Sequence, residues 1–543
     1  MGLVEELKKI ISGEVEDSAE TLQKYSHDAS LFEVKPQAVV FPKNSEDVQK
    51  TVKFVSENKA QSPALSITAR SGGTDMTGGP LSESIILDFT KYFNRISVGN
   101  GEAITEPGVW YRDFEKETLK NGWLLPSYPA SREICALGGM VSNNSGGEKT
   151  LKYGKTENYV EALKVVLSDG KEYEIKKLTK AELDQKTEKR DFEAGVYQKI
   201  FNLLDKNYEL IKAARPQVSK NSAGYNIWNV WNKEKEEFDL VKLFVGAQGT
   251  LGVVTEAKLR LIEAKPYSGL LVMFINDLKR LPEVIHATLP FRPVSFESFD
   301  DHTFKLAIRF LTGLSLRLSW RFIPEVWLAI TGGIPKLVLL AEFEGENQDE
   351  VDDQIKSARE NLKNLKIKTI VANTEEKAKK YWVMRRESFN LLRHRVKGRR
   401  TAPYIDDLIV KPEHLPEFLP KLYEILDRYE LQYTIAGHVG DGNFHIIPLM
   451  KLESEEEKNK IFQSMDEVYK LILKYGGSFT AEHNDGLIRS PYLKLMFGEK
   501  IYAIFEEIKN ILDPQNIFNP GKKVGASLDY AKSKILLRQA SQK

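Results

Sequence analysis

The chain has 543 residues, 41% of them hydrophobic and 29% charged, a composition typical of a globular protein with two or more domains. Its 78 Lys and Arg offset 77 Asp and Glu, so no net positive field is present to recruit nucleic acid. The single cysteine, Cys135, excludes disulfides, a cysteine-ligated iron–sulfur cluster and a thiolate zinc site, and favours a reducing compartment, so we expect a cytoplasmic protein.

The first half of the chain alternates helix-like and strand-like segments. The segment 45–58, SEDVQKTVKFVSEN, begins at a serine suited to cap a helix and has helical periodicity. Short apolar strands are predicted at 64–69 and 84–89. The apolar run 240–246, LVKLFVG, is predicted as a further strand.

Glycine-rich loops interrupt these segments at 67–79, 137–148 and 246–252. Glycines let backbone amides approach a phosphate closely and form an anion-binding nest. The first loop is not a P-loop, because no Lys-Ser or Lys-Thr pair follows its glycines, and it is not a GxGxxG motif. A tight turn explains any one such loop. Three of them favour a long, phosphate-bearing ligand in a channel lined by backbone.

The pattern changes near residue 266 to strand–helix units. Strands are predicted at 269–275 and 337–345. Helices are predicted near 277–288, 347–364, 373–392, 413–430 and 453–475.

An unusual apolar stretch lies at 304–334, where Arg309, Arg317 and Arg321 are spaced among aromatic and aliphatic side chains. Its longest charge-free run is about ten residues, well below the ~20 needed to span a bilayer. Two interpretations stay open: a pair of core helices, or a basic amphipathic element that lies on a membrane surface.

The segment 436–446, AGHVGDGNFHI, is predicted as a hairpin turning at Asp441-Gly442. This turn would pair His438 directly with His445, with Cβ atoms about 5 Å apart on one face. A third ligand is available at Glu482, beside His483. The residues therefore indicate either a metal site or an ordinary hairpin with two surface histidines.

Several segments together resemble a known flavoprotein family. Five segments resemble the FAD-binding domain of the vanillyl-alcohol oxidase and p-cresol methylhydroxylase family: ARSGGTDMTGG, PGVWYRDF, LGGMVSNNSGG, YGKTENYV and GAQGTLGVVTEAKLRL. Three further segments, GHVGDGNFH, AEHNDGL and NIFNPGK, resemble the C-terminal half of the D-2-hydroxy-acid dehydrogenase branch of this family. That branch contains D-lactate dehydrogenases, glycolate oxidase subunits and D-2-hydroxyglutarate dehydrogenases.

The resemblance implies an α+β fold of three parts. A two-subdomain, PCMH-type FAD-binding domain would cover 1–265, and a cap domain with an antiparallel sheet flanked by helices would cover 266–515. A C-terminal segment, 516–543, would return to the FAD domain. The FAD is expected to be non-covalent, because no histidine lies in the first loop and Cys135 is the only thiol. The residues implied to approach FAD are Arg70, Ser71, Gly72, Gly73, Thr74, Asp75, Pro107, Gly108, Gly138, Gly139, Gly249, Gly252, Val254 and Asn519.

The same resemblance implies a catalytic constellation. In this branch the two hairpin histidines and the glutamate of the Glu-His pair bind a divalent metal, usually zinc. The implied ligands are His438, His445 and Glu482. The residues implied to act on substrate are His483 as general base, Arg385 rather than Arg386 as the carboxylate-binding arginine, and Asn443 as a hydrogen-bonding group.

The implied reaction is oxidation of a D-2-hydroxy acid to the 2-oxo acid, with hydride transfer to the flavin. WVMRRESFNLLR and TAPYIDDLIV most resemble the large bacterial members that act on D-2-hydroxyglutarate, and D-lactate or glycolate is the alternative substrate. The basic run 393–400 is either a solvated face or a site for a second carboxylate, through Lys397, Arg399 or Arg400.

Two departures from the family pattern matter. The usual Gly-Glu-His-Gly is Ala-Glu-His-Asn at 481–484, so the local backbone is expected to differ. The large relatives continue into cysteine-rich iron–sulfur domains, so we expect a separate electron acceptor here: an iron–sulfur protein, a quinone or an electron-transfer flavoprotein. That acceptor could place the protein peripherally on the inner membrane face.

Two other classes of function stay open at this point. The first is a metal hydrolase in which the glycine loops are only turns, and the second is a non-catalytic subunit that keeps the flavin fold.

Overall fold

The structure, a computed structural model, describes residues 2–301, 334–395, 399–452 and 454–536. The predicted amphipathic stretch 304–334 lies outside the described residues except for Ile334. Lys397 also lies outside them. Among the helices that the structure describes, none is both long and apolar enough to cross a bilayer.

The first sheet is mainly parallel and wholly buried at its centre. Its strands lie in the order Glu14–Glu16, Ala38–Phe41, Ile85–Asp88 and Ile67–Arg70. The two central strands read AVVF and IILD, the continuous apolar runs expected of strands covered on both faces. The predicted helix is confirmed at Ser45–Asn58, and Asn44, rather than Ser45, caps it by accepting a hydrogen bond from Asp47 N. Its buried valines pack on this sheet.

The second sheet is antiparallel and has its own core. Its strands lie in the order Trp231–Asn232, Glu237–Asp239, Glu172–Thr179, Val160–Val166, Val253–Arg260, Glu102–Thr105 and Ile96–Val98. Strands Trp123–Leu124 and Ile262–Glu263 pair separately. Helices around these first two sheets are Leu3–Ile10, Ala19–Tyr25, Tyr111–Leu119, Leu137–Asn143, Thr150–Tyr153, Lys180–Thr187, Phe192–Lys206, Tyr208–Ala213 and Val241–Phe244.

The strand predicted at 240–246 is wrong, because Val241–Phe244 is a helical turn. Leu240, Leu243 and Val245 are also buried, and Lys242 is the only polar side chain in the run. One polar residue in so short a segment does not separate a buried strand from a buried helical turn.

The third sheet is antiparallel and belongs to the second half of the chain. Its strands lie in the order Lys368–Ala372, Tyr267–Ile275, Leu337–Gly345, Ser295–Asp300, Gln432–His438, Asn443–Met450 and Arg400–Thr401, and Leu408–Ile409 also pairs with Asn443–Met450. Its helices are Leu281–Thr288, Gln348–Asn361, Glu375–Arg395, Leu415–Arg428, Glu455–Lys474 and Gly486–Arg489. The predicted α+β class, with an antiparallel sheet flanked by helices, is confirmed.

The predicted register of the hairpin is wrong by two positions. His438 pairs with Asn443 and Ala436 pairs with His445, so the loop has four residues rather than two. Val439–Asp441 forms a 3-10 turn, and Gly442 closes it at φ +73°, where a Cβ would lie 2.0 Å from Val410 O. His438 and His445 are nevertheless diagonal neighbours on one face, and their ring centroids are 5.1 Å apart.

The last part of the described chain returns to the first sheet. Helix Leu493–Leu512 packs into the core of the second sheet, and helix Leu528–Ser533 follows it. Between them, Phe518 forms a parallel bridge with Ile67 at the start of a central strand. The C-terminal residues therefore brace the strand that leads into the first glycine loop.

Candidate active site

A cavity of about 550 Å³ is lined both by the glycine loops and by side chains of the third sheet. The first loop follows strand Ile67–Arg70, the second forms helix Leu137–Asn143, and the third precedes strand Val253–Arg260. The predicted cofactor residues in the lining are Arg70, Ser71, Gly72, Gly73, Thr74, Asp75, Pro107, Gly138, Gly139, Gly249, Gly252 and Val254.

Two predicted cofactor residues, Gly108 and Asn519, lie behind the lining. A Cβ at Gly108 would be 2.0 Å from Phe89 O, so glycine is needed there for close backbone packing. Asn519 Nδ2 donates to Gly79 O at 2.9 Å and to Gln248 O at 2.7 Å. Asn519 therefore ties the first and third glycine loops together.

The glycines of the second and third loops leave open space in the cavity. A Cβ added at Gly139 would meet Ser71 Cβ at 3.7 Å, and one at Gly249 would meet Ala69 Cβ at 3.7 Å, with no closer neighbour. Because both glycines line the cavity, a side chain at either would fill it. This backbone-lined space fits a bound cofactor.

Asp75 presents an unsatisfied oxygen among these loops. Its Oδ2 accepts hydrogen bonds from Thr77 Oγ1 at 2.7 Å and Gly79 N at 2.6 Å. Its Oδ1 is buried and has no hydrogen-bond partner among the described residues. Burial raises the pKa of this carboxyl. A buried polar atom without a partner in a cavity wall indicates a polar ligand.

Three imidazoles converge on the other side of the cavity. His438 Nε2 lies 2.9 Å and His445 Nε2 lies 3.4 Å from the same atom, Glu482 Oε1. The His445 and His483 rings stack with centroids 4.8 Å apart. The structure therefore brings together the two hairpin histidines and the Glu-His pair, although the predicted register was wrong.

Asp406 fixes the orientation of two of these rings. Its Oδ1 lies 3.2 Å from His445 Nδ1, and its Oδ2 lies 2.6 Å from His483 Nδ1. Burial opposes ionisation of Asp406, but both imidazoles outweigh burial and hold its pKa far below the usual range. Burial likewise disfavours the His445 imidazolium, but Asp406 and Glu482 raise the pKa of His445 to about 10.

Donor atoms of Asp407, His445, Glu482 and His483 all lie within 4.8 Å of one another, a second set that could hold a metal. The Asp407 carboxylate, however, already accepts hydrogen bonds from the loop that carries the Glu-His pair. Its Oδ2 accepts from Thr480 Oγ1, Glu482 N and His483 N at 2.7, 2.8 and 2.7 Å. These bonds make Asp407 a support for the loop. The ligand set His438, His445 and Glu482 stays a prediction, and His438 is not among the four residues whose donor atoms lie this close together.

Lys220 is a buried cation beside this donor set. Its Nζ lies 3.2 Å from Glu482 Oε2 and 3.3 Å from Asp441 Oδ2. Burial disfavours the ammonium, but the two carboxylates raise the pKa of Lys220. Together, Lys220 and the two histidines hold the pKa of Glu482 well below its usual value despite burial.

Arg385 and Arg386 both line the cavity from helix Glu375–Arg395. Arg385 pairs with the buried Glu297 at 3.0 Å. Arg386 is 48% exposed and pairs with Glu148, at 2.8 Å from Nε and 2.6 Å from Nη2. The two arginines therefore occupy different electrostatic settings, and only Arg385 is joined to the imidazole group.

Two asparagines shape the loops around the imidazoles. Asn443 is buried outside the cavity lining, and its Nδ2 donates to Asp407 Oδ1 at 3.1 Å. Asn484 has φ +70°, the left-handed conformation in which the family pattern has glycine. Its Nδ2 donates to Gly246 O at 2.8 Å, which stabilises a conformation that asparagine tolerates better than most residues. Asn484 thus adopts a backbone conformation that glycine also adopts readily, and the expected difference from the family's backbone stays a prediction.

The basic run is only partly described. Arg399 Nη1 donates to Leu449 O at 3.2 Å, and Arg400 pairs with Met450 in the sheet. Neither residue lines the cavity. The second-carboxylate role suggested for this run stays a prediction.

Sequence reasoning missed the acidic and basic residues that surround the imidazoles. These are Glu297, Asp406, Asp407 and Lys220. Asp406 and Asp407 had a usable signal, because adjacent acids inside the apolar run YIDDLIV are expected to be buried and bonded. Glu297 and Lys220 lie in segments with no comparable pattern.

Two family models match the chain. The FAD binding domain matches residues 36–176, and the C-terminal domain of FAD linked oxidases matches residues 282–523. The first match covers the first two glycine loops, and the second covers the hairpin and the Glu-His pair.

Curated relatives share about a quarter of their residues with the chain. The D-2-hydroxyglutarate dehydrogenase of Escherichia coli (strain K12) is 28% identical over 92% of this chain and 49% of its own length. The chain thus spans about half the length of that relative. The glycolate oxidase subunit GlcD of Bacillus subtilis is 26% identical, covering 92% of this chain and 91% of the relative. The D-lactate dehydrogenase of Archaeoglobus fulgidus is 27% identical, covering 96% and 99%.

Solved structures share the fold. The 4-ethylphenol oxidase of Gulosibacter chungangensis aligns with a TM-score of 0.68 at 17% identity, covering 96% of each chain. The p-cresol methylhydroxylase aligns with the same TM-score and identity, again over 96% of each chain. At this identity the likeness concerns the fold alone.

Proposed function

We propose that the chain, which matches the FAD binding domain and the C-terminal domain of FAD linked oxidases, is an FAD-dependent dehydrogenase of a D-2-hydroxy acid. One observation supports the proposal most directly. The glycine loops line the same cavity as Arg385, His438, His445, Glu482 and His483. A substrate beside the imidazoles would therefore lie next to a cofactor held by the loops.

The loops would hold FAD non-covalently. Open space over Gly139 and Gly249 and the unsatisfied Oδ1 of Asp75 fit such a group. Cys135 lines the cavity, and burial raises the pKa of its thiol to about 12, which keeps it an unreactive thiol. When bound, FAD would accept the hydride from C2 of the substrate.

His438, His445 and Glu482 would hold a divalent metal, and we propose zinc. Two imidazoles and one carboxylate are a donor set typical of catalytic rather than structural zinc. A metal there would polarise the substrate hydroxyl as a Lewis acid. Lys220, on the second oxygen of Glu482, would hold that carboxylate in place.

His483 would take the hydroxyl proton. Asp406 accepts the hydrogen bond of His483 Nδ1–H, so Nε2 is the nitrogen with an available lone pair. A base held in one tautomer by a buried carboxylate needs no reorganisation before it accepts the proton. As the proton moves to Nε2, the charge of Asp406 stabilises the imidazolium that forms.

Arg385 would bind the substrate carboxylate. A guanidinium is a planar fork that matches a carboxylate, and Arg385 lines the cavity. Arg386 is the weaker candidate, because it is half-exposed and its partner Glu148 does not contact the imidazoles, whereas Glu297 joins Arg385 to His438. Asn443 lies behind the cavity lining. We propose that it affects the substrate only indirectly, through its hydrogen bond to Asp407, which in turn bonds the loop of the Glu-His pair.

D-2-hydroxyglutarate is our first choice of substrate, because D-2-hydroxyglutarate dehydrogenases match over 92% of this chain. D-lactate or glycolate is the second candidate. Relatives named D-lactate dehydrogenase and glycolate oxidase subunit match over 99% and 91% of their own length, and a D-2-hydroxyglutarate dehydrogenase of Stutzerimonas stutzeri matches over 98% of its own, so coverage does not separate the two candidates.

We further propose the division into 1–265, 266–515 and 516–543, a cytoplasmic location and a separate electron acceptor. The third sheet begins at Tyr267, which supports the first boundary. An iron–sulfur protein, a quinone or an electron-transfer flavoprotein would fit as acceptor, because the lone cysteine provides no iron–sulfur relay within these residues.

A dye-coupled panel tests the substrate class. Purified, zinc-loaded protein is mixed with D-2-hydroxyglutarate, D-lactate, glycolate and the L-enantiomers, and 2-oxo acid formation is measured. We expect the largest kcat/KM with D-2-hydroxyglutarate. A preference for D-lactate or glycolate would select the second candidate, and no turnover of any 2-hydroxy acid would refute the proposed reaction.

A further inference from the structure

Glu297 is a fully buried carboxylate that touches two functional groups. It lies on strand Ser295–Asp300, all of whose residues are buried, and its side chain is 0% exposed. Its Oε1 lies 2.5 Å from His438 Nδ1. Its Oε2 lies 3.1 Å from Arg385 Nε and 3.0 Å from Arg385 Nη2. Each oxygen thus serves a different partner.

The sheet itself creates this arrangement. Ser298 pairs with Gly437 and Phe299 with Ala436, so the next step of the same antiparallel register sets Glu297 opposite His438. Helix Glu375–Arg395 packs on the sheet face that carries Phe299 and Ala436, which is also the face of Glu297 and His438, and it brings Arg385 to that face. The carboxylate is therefore attached to a central strand and cannot follow either partner if that partner moves.

A charge buried this completely is tolerated only when it is paired and hydrogen-bonded. Burial opposes ionisation, but His438 and Arg385 outweigh burial and lower the pKa of Glu297. With Oε1 accepting from Nδ1–H, His438 directs Nε2 at Glu482, 2.9 Å away. With Oε2 on Nε and Nη2, the guanidinium plane of Arg385 is fixed as well.

We propose that Glu297 is a positioning residue that sets His438 and Arg385 at one fixed separation, so that zinc affinity and carboxylate binding depend on the same side chain. The inference rests on the roles proposed above for His438 and Arg385. A 2-hydroxy acid carries its hydroxyl and carboxylate on adjacent carbons, so a fixed spacing between the two recognition groups selects this class of substrate.

The test compares Glu297→Gln with Glu342→Gln. Glu342 lies on the neighbouring strand Leu337–Gly345 and is near Ser295, and it is bonded to neither His438 nor Arg385. Zinc affinity is measured by chelator competition on flavin-loaded protein without substrate. Binding of 2-oxoglutarate is followed by the perturbation of the flavin spectrum, and KM and kcat are measured with D-2-hydroxyglutarate.

We expect Glu297→Gln to retain FAD while zinc affinity falls about 10–100-fold, the usual effect of losing a partner of a metal-binding histidine. KM and the dissociation constant of 2-oxoglutarate should rise by a similar factor. Glu342→Gln should keep wild-type values. Either quantity unchanged in Glu297→Gln would overturn the proposal, because a residue that positions both groups must affect both.

A double-variant comparison separates positioning from general damage. In an Arg385→Lys background, Glu297→Gln should raise KM by a smaller factor than in wild type, because the contribution through the arginine is already lost and only the contribution through His438 remains. An equal rise in both backgrounds would overturn the positioning role. If Glu297→Gln loses its flavin, Glu297→Asp, which keeps the charge on a shorter side chain, undergoes the same measurements with the same criteria.

Failure of the proposed function gives a different result. If wild-type protein oxidises no 2-hydroxy acid, the reaction assigned above is wrong. The zinc competition and the 2-oxoglutarate titration need no turnover, so they still decide whether Glu297 couples the two groups.

Discussion

At the residue scale, buried carboxylates determine which imidazole nitrogen faces the reaction space. Asp406 contacts Nδ1 of two rings and Glu297 contacts Nδ1 of the third, so every Nε2 is left for other partners. Two of these Nε2 atoms already lie near one oxygen of Glu482. The third ring, His483, is stacked on a neighbour and lines the cavity. This arrangement supports the proposed roles of His438 and His445 as metal ligands and of His483 as a base.

The first prediction concerns His483. His483→Gln should keep FAD and zinc, yet slow flavin reduction by about two to four orders of magnitude, the usual contribution of a positioned general base. Stopped-flow reduction by D-2-hydroxyglutarate gives the rate. His286→Gln is the control, because His286 is an exposed residue paired with Glu413. A wild-type rate in His483→Gln would assign the proton transfer to another group.

The second prediction concerns Glu342 and pH. Burial, together with Glu148 and Glu344, raises the pKa of Glu342 to about 7 against the opposing effect of Lys149. The folded protein therefore binds this proton more tightly than the unfolded chain, where the pKa is near 4.5. Stability is then lost as pH rises from the lower value to the higher one.

Glu342→Gln removes that penalty. Relative to wild type, its Tm should be higher at pH 8 and nearly the same at pH 4, as measured by thermal denaturation. A Tm difference that does not change with pH would show that Glu342 ionises normally in the folded protein.

At the element scale, the sequence predicts elements with a clear solvent face and fails where that face is missing. Helix Ser45–Asn58 was predicted to within one residue at its start, because polar positions mark its exposed side. The run 240–246 was assigned to a strand and is helical in the structure, because its single lysine does not define a helical face. The resemblance predicted the FAD-binding loops and the ligand set. It gave no sign of Glu297 or Lys220, because those contacts form only between distant segments.

The hairpin shows that a wrong register can leave the predicted site intact. The structure inserts a 3-10 turn that the Asp-Gly signal did not predict, and this shifts the pairing. Because the shift is an even number of residues, every side chain keeps its face. His438 and His445 therefore still meet, as diagonal rather than direct neighbours.

The third prediction concerns the loop after the Glu-His pair. Gly486 has φ +51°, and a Cβ there would lie 2.1 Å from Thr77 Oγ1 in the first glycine loop. The neighbouring Leu487 N donates to Thr77 O at 2.8 Å. Gly486→Ala should therefore separate the two loops, lowering both Tm and the FAD retained after gel filtration.

Gly476→Ala is the matched control for this change. Gly476 has φ +66° and no atom within 4 Å of an added Cβ, so only the conformational cost of about 1–2 kcal/mol applies. Equal losses of Tm and FAD in the two variants would show that the contact with Thr77 does not hold the cofactor loop.

At the scale of the whole molecule, the cavity depends on segments from distant parts of the chain. Lys523 and Asp485 form an ion pair at 2.7 Å, and both side chains are 0% exposed. Lys523 Nζ also donates to Gly224 O at 2.7 Å. The C-terminal segment, the loop after the Glu-His pair and the FAD-binding half therefore meet at one buried ammonium.

The fourth prediction is that Lys523→Met destabilises the whole protein. Removing one partner leaves the Asp485 carboxylate buried without its cation, which typically costs about 3–5 kcal/mol. Denaturant unfolding measures the change. Lys494→Met is the control, because Lys494 is 52% exposed in its pair with Glu499 and should change stability by less than about 1 kcal/mol. Equal losses of unfolding free energy in the two variants would show that the buried ion pair of Lys523 and Asp485 stabilises the fold no more than the exposed pair does.

The FAD-binding match also bears on the alternative functions. A metal hydrolase would need no binding site for FAD, whereas residues 36–176 match an FAD binding domain. A non-catalytic subunit would need no organised imidazoles, whereas three of them here are oriented by buried carboxylates. Both features together favour an active flavin dehydrogenase.

Anaerobic reduction of the bound flavin tests the central claim most directly, because it needs no external electron acceptor. Zinc-loaded protein is mixed without oxygen with D-2-hydroxyglutarate, D-lactate or glycolate, and the visible flavin absorbance is followed. We expect rapid bleaching with at least one of these acids, no bleaching with L-2-hydroxyglutarate or L-lactate, and slow bleaching in His483→Gln. A flavin that stays oxidised with every acid, or that is reduced equally well by D- and L-enantiomers, would contradict the central claim.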